Sequence, residues 1–235
     1  MNQDRLQTNL DTNFLKLIAV IAMTLDHVGT AFFPQYPVFR WIGRLAFPIF
    51  CYCMTVGLLY THDIKRYLLR LGLFALISEP LYVLAFHPWA FWENFPSMNI
   101  YFTLFVSLLA LWGVQQKKWW VFVGCFLVAS CVNLDYSTSG IFLMLIFYIC
   151  RNKPLLGAGL YVLLYLPALW GAYPDDPLGV HIGSLHMGFE IFAIFAAPLI
   201  FLRTKAGIQI PKWFFYWFYP AHLAIIWLAR LILKV

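Results

Sequence analysis

Long apolar runs broken by short polar gaps organise the whole chain. Windows of membrane-spanning length fall near residues 14–33, 41–60, 66–86, 99–114, 119–134, 138–150, 155–170, 181–202 and 213–232. The pattern therefore predicts an all-α, polytopic membrane protein with about nine transmembrane helices. The sixth window is the weakest, being short and starting just after the polar NLDYSTSG. The gaps are too short for a separate soluble domain and no internal repeat is visible, so 1–235 reads as a single membrane domain.

Charge in the gaps alternates. Lys65, Arg66 and Arg70 follow the second run, Lys117 and Lys118 the fourth, Arg151 and Lys153 the sixth, and Arg203, Lys205 and Lys212 the eighth. The alternate gaps hold Arg40, Glu93, Asp135, Asp175 and Asp176, a net acidic set. The positive-inside rule then predicts a cytoplasmic N-terminus in the plasma (inner) membrane. The first 13 residues are polar and no small-x-small site follows the first run, so that run reads as an uncleaved span.

Composition agrees. The chain is 63% hydrophobic and 11% charged, against about 25% charged for a soluble domain. Aromatic residues make up 20%, including 10 Trp, which suits interfacial ring anchors. The net charge of +6 lies in short loops, so it reports orientation and gives no reason to expect nucleic acid. The five cysteines sit within apolar runs without a CxxC pair, and an odd count argues against a complete disulfide set.

The chemistry lies where charge interrupts these runs. In MTLDHVGT, residues 23–30, a carboxylate stands beside an imidazole, each costing roughly 2.5 kcal/mol or more at mid-membrane. Met23, Asp26, His27 and Thr30 follow the i, i+3, i+4, i+7 spacing of one helix face. Asp26 reads first as a polar clasp to a nearby Arg. His27 reads as a general base, because an imidazole exchanges protons near neutral pH. Arg40 and Arg44 share a face at i, i+4. Arg44 is a partner for Asp26 or a holder of a phosphate or carbonyl oxygen, whereas Arg40 reads as a snorkelling interfacial residue. Pro48 frees the Arg44 carbonyl.

Asn99 and Asp135 fall at helix ends on the outer side, and Glu79 reads as a structural hydrogen-bonding carboxyl before a helix break at Pro80. In the eighth run His186 and Glu190 stand one helical turn apart. HExxH is absent and no third ligand has a readable spacing, so no metal site is expected. In the last run Pro220 frees the Tyr216 carbonyl, and His222 is either a hydrogen-bonded core residue or a catalyst. GxSxG, P-loop and SxxK patterns are absent, which leaves serine hydrolases and nucleotide-driven pumps without support.

The stretches LKLIAVIAMTLDHVG (15–29), GRLAFPIF (43–50), NIYFTL (99–104), LDYSTSG (134–140) and FYPAHL (218–223) occur in an order that resembles the TraX family. That family is named for the acetylase that modifies the N-terminus of conjugative pilin. LDYSTSG departs from the family's DYG-like form. The resemblance implies an integral-membrane acyltransferase with acetyl-CoA as donor, and a pilin-like or small secreted peptide N-terminus, or an envelope glycan, as acceptor. Carried over by position, its polar residues are Asp26, His27, Arg44, Asn99, Asp135 and His222. Catalytic roles then fall to His27, Asp26, Arg44 and His222, and donor binding to Arg44, Asn99 and Asp135. The rival classes are a proton-coupled transporter relaying through Asp26, His27, Glu190 and His222, and an assembly factor without chemistry.

Overall fold

A computed structural model describes residues 7–234. In chain order the helices are α1 (Thr12–Phe32), α2 (Val38–Gly43), α3 (Ala46–Tyr60), α4 (Ile64–Phe86), α5 (Phe91–Asn94), α6 (Ile100–Gln115), α7 (Trp119–Cys131), α8 (Ser139–Ile149), α9 (Pro154–Tyr165), α10 (Ala197–Phe201) and α11 (Lys212–Leu233). Two 3-10 segments, Leu166–Trp170 and Phe189–Ala196, and one antiparallel hairpin, β1 (Val180–Ile182) with β2 (Leu185–Met187), complete the order. The protein is nearly all-α, as the apolar runs predict.

The expected spans differ in length. Among the described residues four stretches are long and apolar enough to cross a membrane: Thr12–Phe32, Val38–Tyr60, Ile64–Phe86 and Lys212–Leu233. Five further apolar helices have only 10–17 residues. At about 1.5 Å per residue these reach roughly 15–26 Å, short of a hydrocarbon core about 30 Å thick. The expected nine spans are thus four of full length and a set of shorter apolar helices.

The predicted helix at 181–202 is also corrected. Its first part is the hairpin, in which His181 pairs with His186 and the two-residue loop is Gly183–Ser184. Gly183 has φ +60°, a conformation glycine enters without the Cβ penalty, and Gly-Ser suits a two-residue hairpin. The expected break at Pro80 is absent, since α4 runs continuously through it.

The chain divides into two compact units interleaved in sequence, Met1–Cys53 with Ile146–Gln209 and Met54–Leu145 with Ile210–Val235. In the first, α1 packs on α2, and the 3-10 segment Phe189–Ala196 packs on both α2 and α9. Its core includes Leu15, Ile49, Tyr52, Phe147, Tyr161 and Ile200, all buried. The Tyr52 ring meets the Phe147 ring edge-on at 5.4 Å, and the Tyr161 hydroxyl donates to the Ala193 carbonyl. In the second unit α4 packs on α6 and α11, and α6 on α7. Ala110, Val121, Cys125, Ala129, Leu134 and Ile141 form a buried cluster there.

Large apolar side chains also face outward, Leu155 at 88% and Ile232 at 80% exposure among them. Such a surface is costly in water and natural against lipid. The protein is membrane-embedded.

Candidate functional site

Two glycines bring α1 and α2 together. A Cβ at Gly29 would lie 2.2 Å from the Cβ of Phe39, and one at Gly43 would lie 2.2 Å from Asp26 Oδ1 and 2.4 Å from Asp26 Cβ. Small residues let helix backbones approach this closely where larger ones cannot. The turn between the helices is held by the Phe33 N–H donating to the Gly29 carbonyl at 2.9 Å and by stacked Phe33 and Phe39 rings.

That approach sets Asp26 between two guanidinium groups. Arg40 Nη1 donates to Oδ2 at 2.7 Å and Arg44 Nη2 donates to Oδ1 at 3.2 Å. Both carboxylate oxygens are therefore engaged, so Asp26 orients cations and does not present a bare base. Arg40 Nη1 also donates to Thr30 Oγ1, whose own hydroxyl donates to the Asp26 carbonyl at 2.8 Å. The Phe189 ring lies 4.8 Å from the Arg44 guanidinium carbon and 5.6 Å from that of Arg40, close enough for cation–π attraction.

The clasp between Asp26 and Arg44 is the one the sequence favours. Arg40, expected to snorkel alone, is corrected to a second partner of the same carboxylate. The reason is helical: Arg40 in α2 and Arg44, the residue that caps its C-terminus, are one turn apart, and α2 packs on α1. The signal was legible in RWIGR, but the position of Arg40 near a helix end disguised it.

His27 is half-buried at the next position of α1, about 100° around the helix from Asp26. Its side chain thus leaves α1 towards a different wall from that of Asp26. The segment 178–192 covers α2. Trp41 Nε1 donates to the Leu178 carbonyl at 2.7 Å, and the Trp41 ring stacks on Phe192 at 4.7 Å. Thr30 lies on the face that the sequence spacing indicated, whereas Phe189 and Trp41 are the site residues that sequence reasoning missed.

His186 and Glu190 do not share a helix face, because His186 lies in β2 and Glu190 is exposed on the 3-10 segment. Instead His181 Nδ1 and His186 Nδ1 stand 2.9 Å apart across the hairpin. His181 Nε2 lies 2.8 Å from the Asp176 carbonyl, which can only accept, so this nitrogen carries the proton. Among the described residues no group of three or more His, Cys, Asp or Glu side chains is placed to hold a metal ion.

The remaining predicted residues lie in the second unit. Asn99, fully buried, caps α6: its Oδ1 accepts from the Tyr101 N–H at 2.9 Å. Its Nδ2 donates to the Ala75 carbonyl at 2.9 Å and to Glu79 Oε2 at 2.6 Å, and its backbone N–H donates to the same Oε2 at 3.0 Å. Glu79 is thus an acceptor tying α4 to the start of α6. Met98 bridges to Leu134, which brings the exposed Asp135 next along the chain to the Asn99 neighbourhood. His222 is buried, with Nδ1 3.0 Å from the Phe218 carbonyl and its ring stacked on Phe218 at 5.4 Å.

The expected kink chemistry at Pro220 has an outlet. The Tyr101 hydroxyl donates to the carbonyls of Phe215 at 3.1 Å and Tyr216 at 3.4 Å, and Tyr216 is the residue whose helical partner Pro220 cannot supply. The Tyr101 and Tyr219 rings pack at 4.6 Å. The predicted site residues therefore form two groups: Asp26, His27 and Arg44 in the first unit, and Asn99, Asp135 and His222 in the second.

Comparison with known proteins follows this pattern of residues. The chain is 29% identical over 248 residues to a protein of Dichelobacter nodosus described as "Probable fimbrial assembly protein FimC, serogroup H1", covering 94% of this chain and 96% of that one. A segment of 40 residues is 50% identical to an uncharacterized protein of Rickettsia prowazekii (strain Madrid E), covering 17% of this chain and 16% of that one. No solved structure matches. The family model described as TraX protein matches residues 11–230, which contain every residue of both groups, and the chain belongs to the TraX family.

Proposed function

We propose that this chain is an integral-membrane acetyltransferase of the inner membrane, its N-terminus cytoplasmic, that moves acetyl from acetyl-CoA to the N-terminal amine of a pilin-like or other small secreted peptide. The observation that carries this reading is the Asp26 carboxylate clamped by Arg40 and Arg44 beside His27. Charges in a bilayer are costly and mark functional sites, and guanidinium donors fixed in a dry setting suit a reaction that develops an oxyanion. The full-length similarity to a protein described as a fimbrial assembly protein supports a pilin-class acceptor.

The transfer balances simply. The amine nitrogen attacks the thioester carbonyl and forms the new C–N bond, the C–S bond breaks, and coenzyme A leaves as the thiol. The amine gives up a proton in the process. His27 accepts that proton as general base and then gives it to the departing thiolate, which restores the neutral imidazole. Arg44, held by Asp26, stabilises the oxyanion of the tetrahedral intermediate, and Arg40 holds the other side of the carboxylate so that the guanidinium of Arg44 stays in place. An α-amino group has a pKa near 7.7–8.0, whereas a lysine side chain lies near 10.4, so the α-amine supplies more neutral nucleophile at pH 7.

Mass spectrometry of membrane and secreted peptides from cells with and without the protein tests this. The expected result is acetyl on N-terminal amines only where the protein is present, lost in His27→Ala. Acetyl found solely on envelope glycans would keep the enzyme class and remove the peptide acceptor.

A further inference from the structure

At the start of α1 a short strap of backbone collects basic residues from two distant loops of the first unit. The Gln7 N–H donates to the Arg151 carbonyl at 3.2 Å, and the Gln7 carbonyl accepts from Arg203 Nε at 3.2 Å. Two residues on, Asn9 is fully buried: its Nδ2 donates to the Leu199 carbonyl at 2.8 Å and to Thr204 Oγ1 at 3.0 Å, and its Oδ1 accepts from the Asp11 N–H at 3.0 Å. Asp11 caps α1 by accepting from the Phe14 N–H, and its other oxygen accepts from the Ala206 N–H at 2.7 Å. The Tyr52 hydroxyl closes the strap from below on Thr8 and the Asn9 carbonyl.

This construction holds the turn after α8 against the loop after α10. Arg151 and Lys153 come with the first, Arg203 and Lys205 with the second. Asp11 is the acid woven into the strap, so cations outnumber anions. Lys153 and Lys205 are exposed, and their ammonium groups have no partner among the described residues. Beside them the Asn152 side-chain oxygen is a buried acceptor with no partner among the described residues. The positive-inside rule explains why these loops are basic. It does not explain why a buried asparagine and the backbone of Gln7 bring them together.

We propose that this patch seats the phosphorylated nucleotide end of the acyl donor, a reading that rests on the acetyl-transfer function. Distance along α1 supports it. From Asp11 to His27 is sixteen residues of one helix, about 24 Å at 1.5 Å per residue. An extended pantetheine arm covers that order of length. With the phosphates on Arg151, Lys153, Arg203 and Lys205, the arm runs along α1 and delivers the thioester to the Asp26–Arg44 cluster and His27. Arginine forks and lysine point charges both suit phosphate.

Binding of coenzyme A and of pantetheine, which lacks the nucleotide, is measured on the full chain in nanodiscs of zwitterionic lipid. Coenzyme A is expected to bind more tightly, and the double variant Lys153→Gln/Lys205→Gln, which touches no packing, to weaken it about five- to tenfold. Pantetheine binding should not change. Arg203→Gln should give a similar loss, with a flatter salt dependence. In turnover, the double variant should raise KM for acetyl-CoA and leave KM for acetyl-pantetheine and both kcat values unchanged. Coenzyme A binding unaltered in both variants overturns the proposal. So does equal loss of coenzyme A and pantetheine affinity, or an effect seen only when anionic lipid is added to the nanodisc, which would make the patch a headgroup contact. Tight coenzyme A binding without turnover of either donor sinks the transfer reading and leaves the patch standing.

Discussion

Replacing Gly43 with Ala inserts a single methyl at the point where α2 meets α1. The new Cβ would sit 2.2 Å from Asp26 Oδ1, 2.4 Å from Asp26 Cβ and 2.5 Å from Asp26 Cγ. Non-bonded carbons rest at about 3.5–4.0 Å, so each contact is short by more than 1 Å. Turning the Asp26 side chain away does not help, because its Cβ is already too close. The helices must separate, and Asp26 then loses its paired bonds to Arg40 and Arg44. Opening a buried ion pair costs about 3–5 kcal/mol, and the better helix propensity of Ala returns at most about 1 kcal/mol. A net loss of about 2–4 kcal/mol corresponds to a Tm lowered by roughly 5–15 °C at this chain length. Thermal unfolding of the purified protein in detergent reads the shift, with Gly124→Ala as control, where a Cβ meets nothing within 4 Å. Asp26→Ala keeps the offending Cβ and should not rescue Gly43→Ala. A Gly43→Ala protein with wild-type Tm would refute the close approach and the clamped carboxylate with it.

Tyr101→Phe strands carbonyls of α11 that its hydroxyl now serves. It should lower stability by about 1–3 kcal/mol, and Pro220→Ala, which restores an N–H for Tyr216, should shrink that loss in a double-mutant cycle; independent effects of the two substitutions would contradict the pairing. Asn99→Ala removes both the α6 cap and the side-chain donor to Glu79 and Ala75, leaving Glu79 the backbone N–H alone, so a loss of at least about 2 kcal/mol is expected in unfolding experiments. Asn99→Asp, which keeps the capping oxygen, should remain destabilised because it meets Glu79 with a second carboxyl. For sidedness, cysteine probes at Gln115 and Asn152 should react only with reagents that reach the cytoplasm, and one at Asp176 with impermeant reagents from outside. Labelling of Gln115 from outside would reverse the orientation.

Much of the site could be read from the chain because its physics is local. Charges inside apolar runs are few, so Asp26, His27 and Arg44 stand out, and helical spacing says which of them share a wall. The Tyr216 carbonyl freed by Pro220 was legible for the same reason. What the sequence hid depends on neighbours far along the chain. The residue that takes up that carbonyl is Tyr101, more than a hundred positions away. Glu79 reaches Asn99 only because α4 packs on α6. The hairpin at 180–187 escaped because averaged hydropathy over HIGSLHMGFEIF is dominated by its last residues, although Gly-Ser between two alternating triplets is a hairpin signal. Helix ends are set by local caps and turns that averaged hydropathy does not register, such as Asn99 before α6 and Val132 after α7.

The proposed role of the Asp26–Arg40–Arg44 cluster and His27 is acetyl transfer to an α-amine. The most direct measurement uses the purified protein in nanodiscs with isotopically labelled acetyl-CoA and a synthetic peptide bearing a free N-terminus and one lysine. Labelled acetyl is expected on the N-terminal nitrogen, with little on the lysine. Near-complete loss is expected in His27→Ala, with the folded protein and its coenzyme A affinity retained. Wild-type rates in His27→Ala, with both substrates saturating, would contradict it.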